Sequence, residues 1–265
     1  MVAIHSASTN SYNAHQTLMK LSSFQRINSA RDDAAGLAIS EKMRGQFRGD
    51  DIAVRNMRDS QSLTRTAEGA LGQSHSVLQR MRELSIQANN SLLTDSDRGH
   101  IQREFEGLRD TLNAIGSDTQ FNTKSLLDGS FSQQHTTTDG RGASLQMDIG
   151  SALASQLRSE KTGLSLADVD LRTNPQAGLQ TIDSAIQQVS GSRGTLGATD
   201  NRLDSAISVA ETQSFNIRSA QSRIADADVA KSAIELQKHQ VMQQAYFSAQ
   251  RMNMNMMGMG LNLLA

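Results

Sequence analysis

The run Asn174-Pro175-Gln176-Ala177-Gly178-Leu179-Gln180-Thr181-Ile182-Asp183-Ser184-Ala185-Ile186-Gln187-Gln188-Val189 decides the fold of this 265-residue chain. Asn is a favoured helix N-cap and Pro is pre-set for the first helical position, so the chain's only proline marks a helix start. From there Leu179, Ile182, Ile186 and Val189 recur at alternating steps of three and four, the spacing of a narrow coiled-coil seam. The seam runs on through Leu196, Leu203, Ile207, Ala210, Ser214, Ile217 and Ile224, with polar gaps. A helix from Pro175 to Ala225 spans about 75 Å. That length implies a rod, because so long a helix cannot wrap a compact core.

The same spacing appears elsewhere. Ile101, Phe105, Leu108, Leu112 and Ile115 form the cleanest stripe, and Ala67, Leu71, Ser74, Leu78, Met81, Ser85 and Ala88 form another. Both chain ends carry one as well: Ile4, Ala7, Ser11, Ala14, Leu18 and Leu21 at the start, and Ala245, Ala249, Met252, Met256, Met259 and Leu263 at the finish. Neither half can bury its stripe alone, so the two are predicted to pack side by side. Between about Asn122 and Asn174 the pattern changes. Thr136-Thr137-Thr138-Asp139-Gly140-Arg141-Gly142 is polar and turn-rich, whereas Leu145, Met147 and Ile149 alternate as in a strand. Phe121-Asn122 and Lys124–Gly129 read as a strand ending in a turn. The fold class is therefore mainly α: a long antiparallel coiled-coil helical rod built from both chain ends, with a small β-hairpin or loop-rich middle.

Composition agrees and excludes much. Lys and Arg number 26 against 27 Asp and Glu, a balance that argues against a nucleic-acid binder. Aromatics are 3% and there is no Trp, so small and unbranched side chains must do the packing, as in close-packed helices. Without Cys there is no disulfide scaffold and no zinc–thiolate site. No stretch approaches a membrane span, and Met1–Ser6 lacks the basic start and apolar run of a cleaved signal. The six His form no ligating helical pair, and no H-E-x-x-H, phosphate loop, dinucleotide fingerprint, calcium loop or serine nucleophile elbow occurs. Met252, Met254, Met256, Met257 and Met259 could suggest copper(I) ligation, but three of them lie on the seam, which favours packing. Neither an enzyme nor a cofactor is expected.

The segment Arg26-Ile27-Asn28-Ser29-Ala30-Arg31-Asp32-Asp33-Ala34-Ala35-Gly36-Leu37-Ala38-Ile39-Ser40 closely resembles the N-terminal region of bacterial flagellins. So do Glu41–Gln46, Thr66–Leu71, Leu78–Ala88 and Phe121-Asn122. Asn201–Ile207 and Ala220-Gln221-Ser222-Arg223-Ile224-Ala225-Asp226-Ala227-Asp228 resemble the family's returning helices. The resemblance covers roughly 1–130 and 176–265.

It implies a structural subunit that polymerises into the flagellar filament used for motility. It also implies an organisation: 1–30 as N-terminal inner-tube helix, 31–130 as N-terminal rod helices, 131–175 as a short β or loop central segment, 176–225 as C-terminal rod helix and 226–265 as C-terminal inner-tube helix. The inner-tube polymerisation seam would be Ile4, Ala7, Ala14, Leu18, Leu21, Ala245, Ala249, Met252, Met256, Met259 and Leu263. These terminal stripes are too short to be stable alone and are expected to order when neighbouring subunits bury them. The family's partners are further copies of itself, an export chaperone, a cap protein and hook–filament junction proteins. Its members leave the cell through the type III export channel without a cleaved signal peptide and end up extracellular. Host Toll-like receptor 5 reads many flagellins at positions matching Arg80, Leu84 and Glu104. Two other readings share the terminal helices or the periodicity: a hook–filament junction protein and a cytoplasmic coiled-coil adaptor. Two departures stand out. Phe24 occupies a place where the family often has a turn-permissive Gly, which brings the usual spoke geometry into question. The tail from Met252 to Gly260 holds two glycines, which weaken a terminal helix.

Overall fold

The computed structural model describes residues 2–131, 134–139 and 142–262, with side chains from 9 to 131, 136 to 139 and 142 to 256. Its helices are α1 (Val2–Ser23), α2 (Ala34–Ala88), α3 (Asp95–Asp118), α4 (Pro175–Ala225) and α5 (Val229–Asn262). Four short strands, β1 (Gln120–Phe121), β2 (Lys124–Ser125), β3 (Gln134–Thr137) and β4 (Ser144–Met147), lie between α3 and α4. The chain divides into two compact units, 48–213 and 1–47 with 214–265.

Local chemistry fixes where four helices begin. The Asp33 carboxylate accepts from the Gly36 N–H at 2.8 Å to start α2, and Asp228 accepts from Lys231 at 3.0 Å to start α5. Asn174 accepts from Ala177 at 3.0 Å, the cap that the sequence predicts for α4. At α3, Thr94 and Asp97 form a reciprocal capping box. The bonds from Thr94 to the Asp97 carboxylate hold that carboxyl below its usual range.

In the unit of residues 48–213, the predicted stripes are the buried stripes. Ala67, Leu71, Ser74, Leu78, Met81, Ser85 and Ala88 of α2 are all buried, as are Ile101, Phe105 and Leu112 of α3 and Ile182, Val189, Leu196 and Leu203 of α4. The helices α2 and α4 run antiparallel. Ion pairs link Arg58 to Glu211, Arg65 to Asp200, Glu68 to Arg193 and Arg82 to Asp183, so one partner's number falls as the other's rises. Such exposed pairs add little stability each, but they mark one register. Close approach shows at the first turn of α4, where Ser85 Oγ donates to the Pro175 carbonyl at 3.1 Å. A methyl group added to Gly178 would stand 2.7 Å from Leu171 Cδ2.

The loop-rich middle is part of this core. Leu126, Leu127, Phe131, Ile149, Ala152, Leu157, Leu166 and Leu171 join the cluster formed by the three helices. Strands β1 and β2 form a hairpin whose two turn residues, Asn122 (φ 49) and Thr123 (φ 65), both take the left-handed conformation that a tight primed turn requires. Strands β3 and β4 pair antiparallel, and alternation puts Leu145 and Met147 into a second cluster with Val54, Met57, Leu203 and Ala210.

In the other unit, two connections are stitched together. Residues 24–33 join α1 to α2, and 226–228 join α4 to α5. The Arg26 N–H donates to the Ala225 carbonyl at 2.7 Å, and the Ala227 N–H donates to the Phe24 carbonyl at 3.0 Å. The Arg26 guanidinium also donates to the Ile224 carbonyl. Phe24 sits here at φ 56, so it keeps the left-handed turn that a glycine would adopt freely, with its ring 63% exposed. Asp32 closes the first connection by accepting from the N–H groups of Asn28 and Ser29, bonds that hold its carboxyl below the usual range. The arm α5 is helical through Asn262, so the tail glycines do not interrupt it.

Two outcomes follow. Phe105→Ala removes a fully buried ring at the centre of the larger cluster and should cost about 3–5 kcal/mol, read by urea unfolding. Phe24→Gly relieves a left-handed backbone that costs a non-glycine about 1–2 kcal/mol, partly offset by glycine's unfolded-state entropy. Slower amide exchange at Arg26 is the expected readout, and unchanged or faster exchange would contradict it.

Candidate assembly surfaces

The pair formed by α1 and α5 is built differently from the core. On α1, the residues turned inward are Asn10, Ala14, Thr17 and Leu21, and on α5 they are Ser232, Leu236, His239 and Tyr246. Both sets step by fours and threes or their multiples, so each is a proper seam, but buried Asn10, Thr17 and Ser232 make it polar. Its centre is a two-point lock. The Asn10 amide donates to the His239 carbonyl at 2.9 Å, and Asn10 Oδ1 lies 2.7 Å from His239 Nδ1. Because an amide oxygen only accepts, the proton sits on Nδ1. A polar residue at one seam position specifies register at some expense in stability. Asn10, Thr17 and His239 escape a search for apolar spacing; the signal that could have found the first two is the 10-14-17-21 step, which shares Ala14 and Leu21 with the apolar stripe.

The apolar stripe of the ends overlaps that seam only at Ala14 and Leu21. Leu18, Ala245, Ala249, Met252 and Met256 are exposed, while Ala14 and Leu21 are half-buried. The side chains of Ile4, Ala7, Met259 and Leu263 lie outside the described residues. Tyr12, Met19, Ile234, Val241, Met242 and Phe247 are exposed too, so a broad apolar surface follows the pair. A monomer rarely leaves so much apolar area open without a use for it.

The second candidate surface lies across α2 and α3. Arg80 bonds the Glu104 carboxylate at 2.7 Å and that of Glu83 at 2.9 Å. These two carboxylates, Glu104 foremost, raise the guanidinium further above its usual range. All three side chains are exposed. Leu84 is not with them: it is 1% exposed and packs into the core between helices. The three positions are thus split into a charged surface pair and a leucine that supports it from within. Among the described residues, no group of three or more His, Cys, Asp or Glu could hold a metal, and no helix is long and apolar enough to cross a membrane.

Comparison with known proteins agrees with this architecture. Residues 1–132 match the bacterial flagellin N-terminal helical region, and residues 179–257 match the bacterial flagellin C-terminal helical region. A flagellin of Halalkalibacterium halodurans is 42% identical over 87% of this chain and 84% of its own. The Bacillus subtilis flagellin is 38% identical over 90% of this chain and 88% of its own. A flagellar filament core protein of Brachyspira hyodysenteriae is 38% identical over 85% and 83%. With both helical regions matched in order and the core built on them, the chain belongs to the bacterial flagellin family.

Proposed function

We propose that this chain is a structural subunit that polymerises into a bacterial flagellar filament used for motility. One observation carries the reading: the two terminal helices meet through a seam whose most buried residues are polar, and most of their large apolar side chains, from Leu18 and Met19 to Met252 and Met256, stay exposed. Burial against neighbouring copies gives that surface a partner, and the contact is heterologous, the kind that builds an open helix. In this reading 1–30 and 226–265 form the inner tube, 31–130 and 176–225 form the surrounding rod, and 131–175 is the central segment. The seam residues Ile4, Ala7, Ala14, Leu18, Leu21, Ala245, Ala249, Met252, Met256, Met259 and Leu263 are then subunit contacts. Relatives named as flagellins and as a filament core protein support this over a hook–filament junction protein or a cytoplasmic adaptor.

The same reading brings the family's partners and destination: an export chaperone, a cap protein, junction proteins and an extracellular filament reached without a cleaved signal. Toll-like receptor 5 would meet the exposed Arg80–Glu104 pair, with Leu84 holding the helix surface beneath it. The chain takes no cofactor and does no catalysis.

Electron microscopy after adding sheared filament seeds or a precipitating salt should show long uniform filaments. Deleting residues 246–265 should abolish them while leaving the unit of residues 48–213 folded by circular dichroism. Discrete particles from the intact chain would instead favour the junction or adaptor readings. Replacing Arg80 by Ala should lower receptor-reporter activation about tenfold, the scale of one interfacial charged contact. Full activation by that variant would remove Arg80 from the recognition face.

A further inference from the structure

Among the described residues, the methionines fall into a buried set and an open set, with Met43 of α2 half-buried between them. Met57, Met81 and Met147, in the unit of residues 48–213, are 0%, 0% and 5% exposed. On α5, Met252, Met254 and Met256 are 68%, 66% and 62% exposed, and Met242 and Met19 are also open. Met242, Ala245, Ala249, Met252 and Met256 step by three and four, so three of the open thioethers share one stripe of α5. With 12 Met and no Cys, thioether sulfur is the only sulfur in the chain.

Oxidation of a thioether follows exposure. A peroxide transfers one oxygen atom to the sulfur: its O–O bond breaks, an S–O bond forms, sulfur loses two electrons and water departs. The product is a polar, chiral sulfoxide in place of a flexible apolar side chain. In the core such a change is blocked because Met57, Met81 and Met147 are covered by packed neighbours. On α5, among the described residues, Met242, Met252, Met254 and Met256 lie mostly or half open to solvent.

We infer that the methionine face of α5, with Met19 on α1, is a reversible oxidation site through which peroxide withholds subunits from assembly without unfolding the core. The inference rests on the assembly reading above. A sulfoxide on this stripe must be desolvated when a neighbouring copy covers it, and an apolar contact returns nothing for the lost hydration. Subunits not yet assembled are sensitive, whereas assembled ones shield their own thioethers. Methionine sulfoxide reductases, one for each epimer, restore the surface.

The test treats the full chain with graded hydrogen peroxide, maps oxidised peptides by mass spectrometry and measures seeded elongation by light scattering. Oxidation should reach Met242, Met252, Met254, Met256 and Met19 before Met57, Met81 and Met147. Elongation should fall at least tenfold, with unchanged far-ultraviolet dichroism, and recover after the two reductases act. A chain carrying Leu at the five open positions and at Met257 and Met259 should elongate equally before and after peroxide. If that variant assembles poorly, loss of elongation in the natural chain must still track oxidation at those five positions. Normal elongation by the fully oxidised chain, or preferential oxidation of the buried three, overturns the inference and leaves the assembly reading intact. An untreated chain that never elongates overturns the assembly reading and the inference together.

Discussion

Everything in the larger unit depends on covering one stripe, Ala67 to Ala88 of α2, in which all seven seam residues are buried. No single neighbour is wide enough. The helix α3 folds back across a short turn, α4 lies antiparallel from far along the sequence, and the loop-rich segment fills what remains with Leu126, Leu127, Leu157, Leu166 and Leu171. Small residues on the seam, Ala67, Ser74, Ser85 and Ala88, let these partners approach closely. That explains how so few aromatics suffice: close spacing replaces bulky side chains as the source of contact. The ion pairs between α2 and α4 do not supply this energy. They choose among the registers that the apolar stripe alone would tolerate.

The terminal pair follows the opposite logic. Its fully buried positions are Asn10, Thr17 and Ser232, Leu21, Leu236 and Tyr246 are only half-buried, and most of its large apolar side chains face outward. A seam of this kind aligns two helices while contributing little to their stability. Alignment without self-sufficiency is useful in a subunit whose final partners are other copies, because the apolar free energy stays available for assembly. The stitched connections at Phe24–Arg26 and Ala225–Ala227 belong to the same design, since they tie the two arms at their roots through backbone bonds.

These two logics decide how much could be read from the sequence. For α2, α3 and α4 the three-and-four spacing located the buried face correctly, because the cover comes from the same chain. Asn174-Pro175 placed the start of α4 for a purely local reason. At the ends, spacing marks a stripe whose described members are exposed or half-buried, and an apolar stripe says nothing about who covers it. There the seam between α1 and α5 runs through Asn10 and His239, whose pairing depends on residues 229 positions apart. Leu84 shows the converse: a position matched by family resemblance has its accessibility set by the core behind it. Phe24 shows that a backbone demand can override residue preference, since its turn is fixed by hydrogen bonds on both sides. The loop segment's part in the core was illegible because Leu126 to Leu171 follow no period.

The distance along the chain between the α2 stripe and its α4 cover has a consequence in time. Residues 67–88 emerge from the ribosome roughly a hundred positions before the partners near Ile182 and Leu196. At about 10 residues per second, the stripe waits on the order of ten seconds with only α3 and the loop-rich segment available to cover it. Contacts that span such separations also close slowly once both sides exist. Throughout synthesis, then, the chain presents an unfinished helical surface, and folding is in effect licensed by its last third. Any factor that holds the C-terminal region back holds the whole core open.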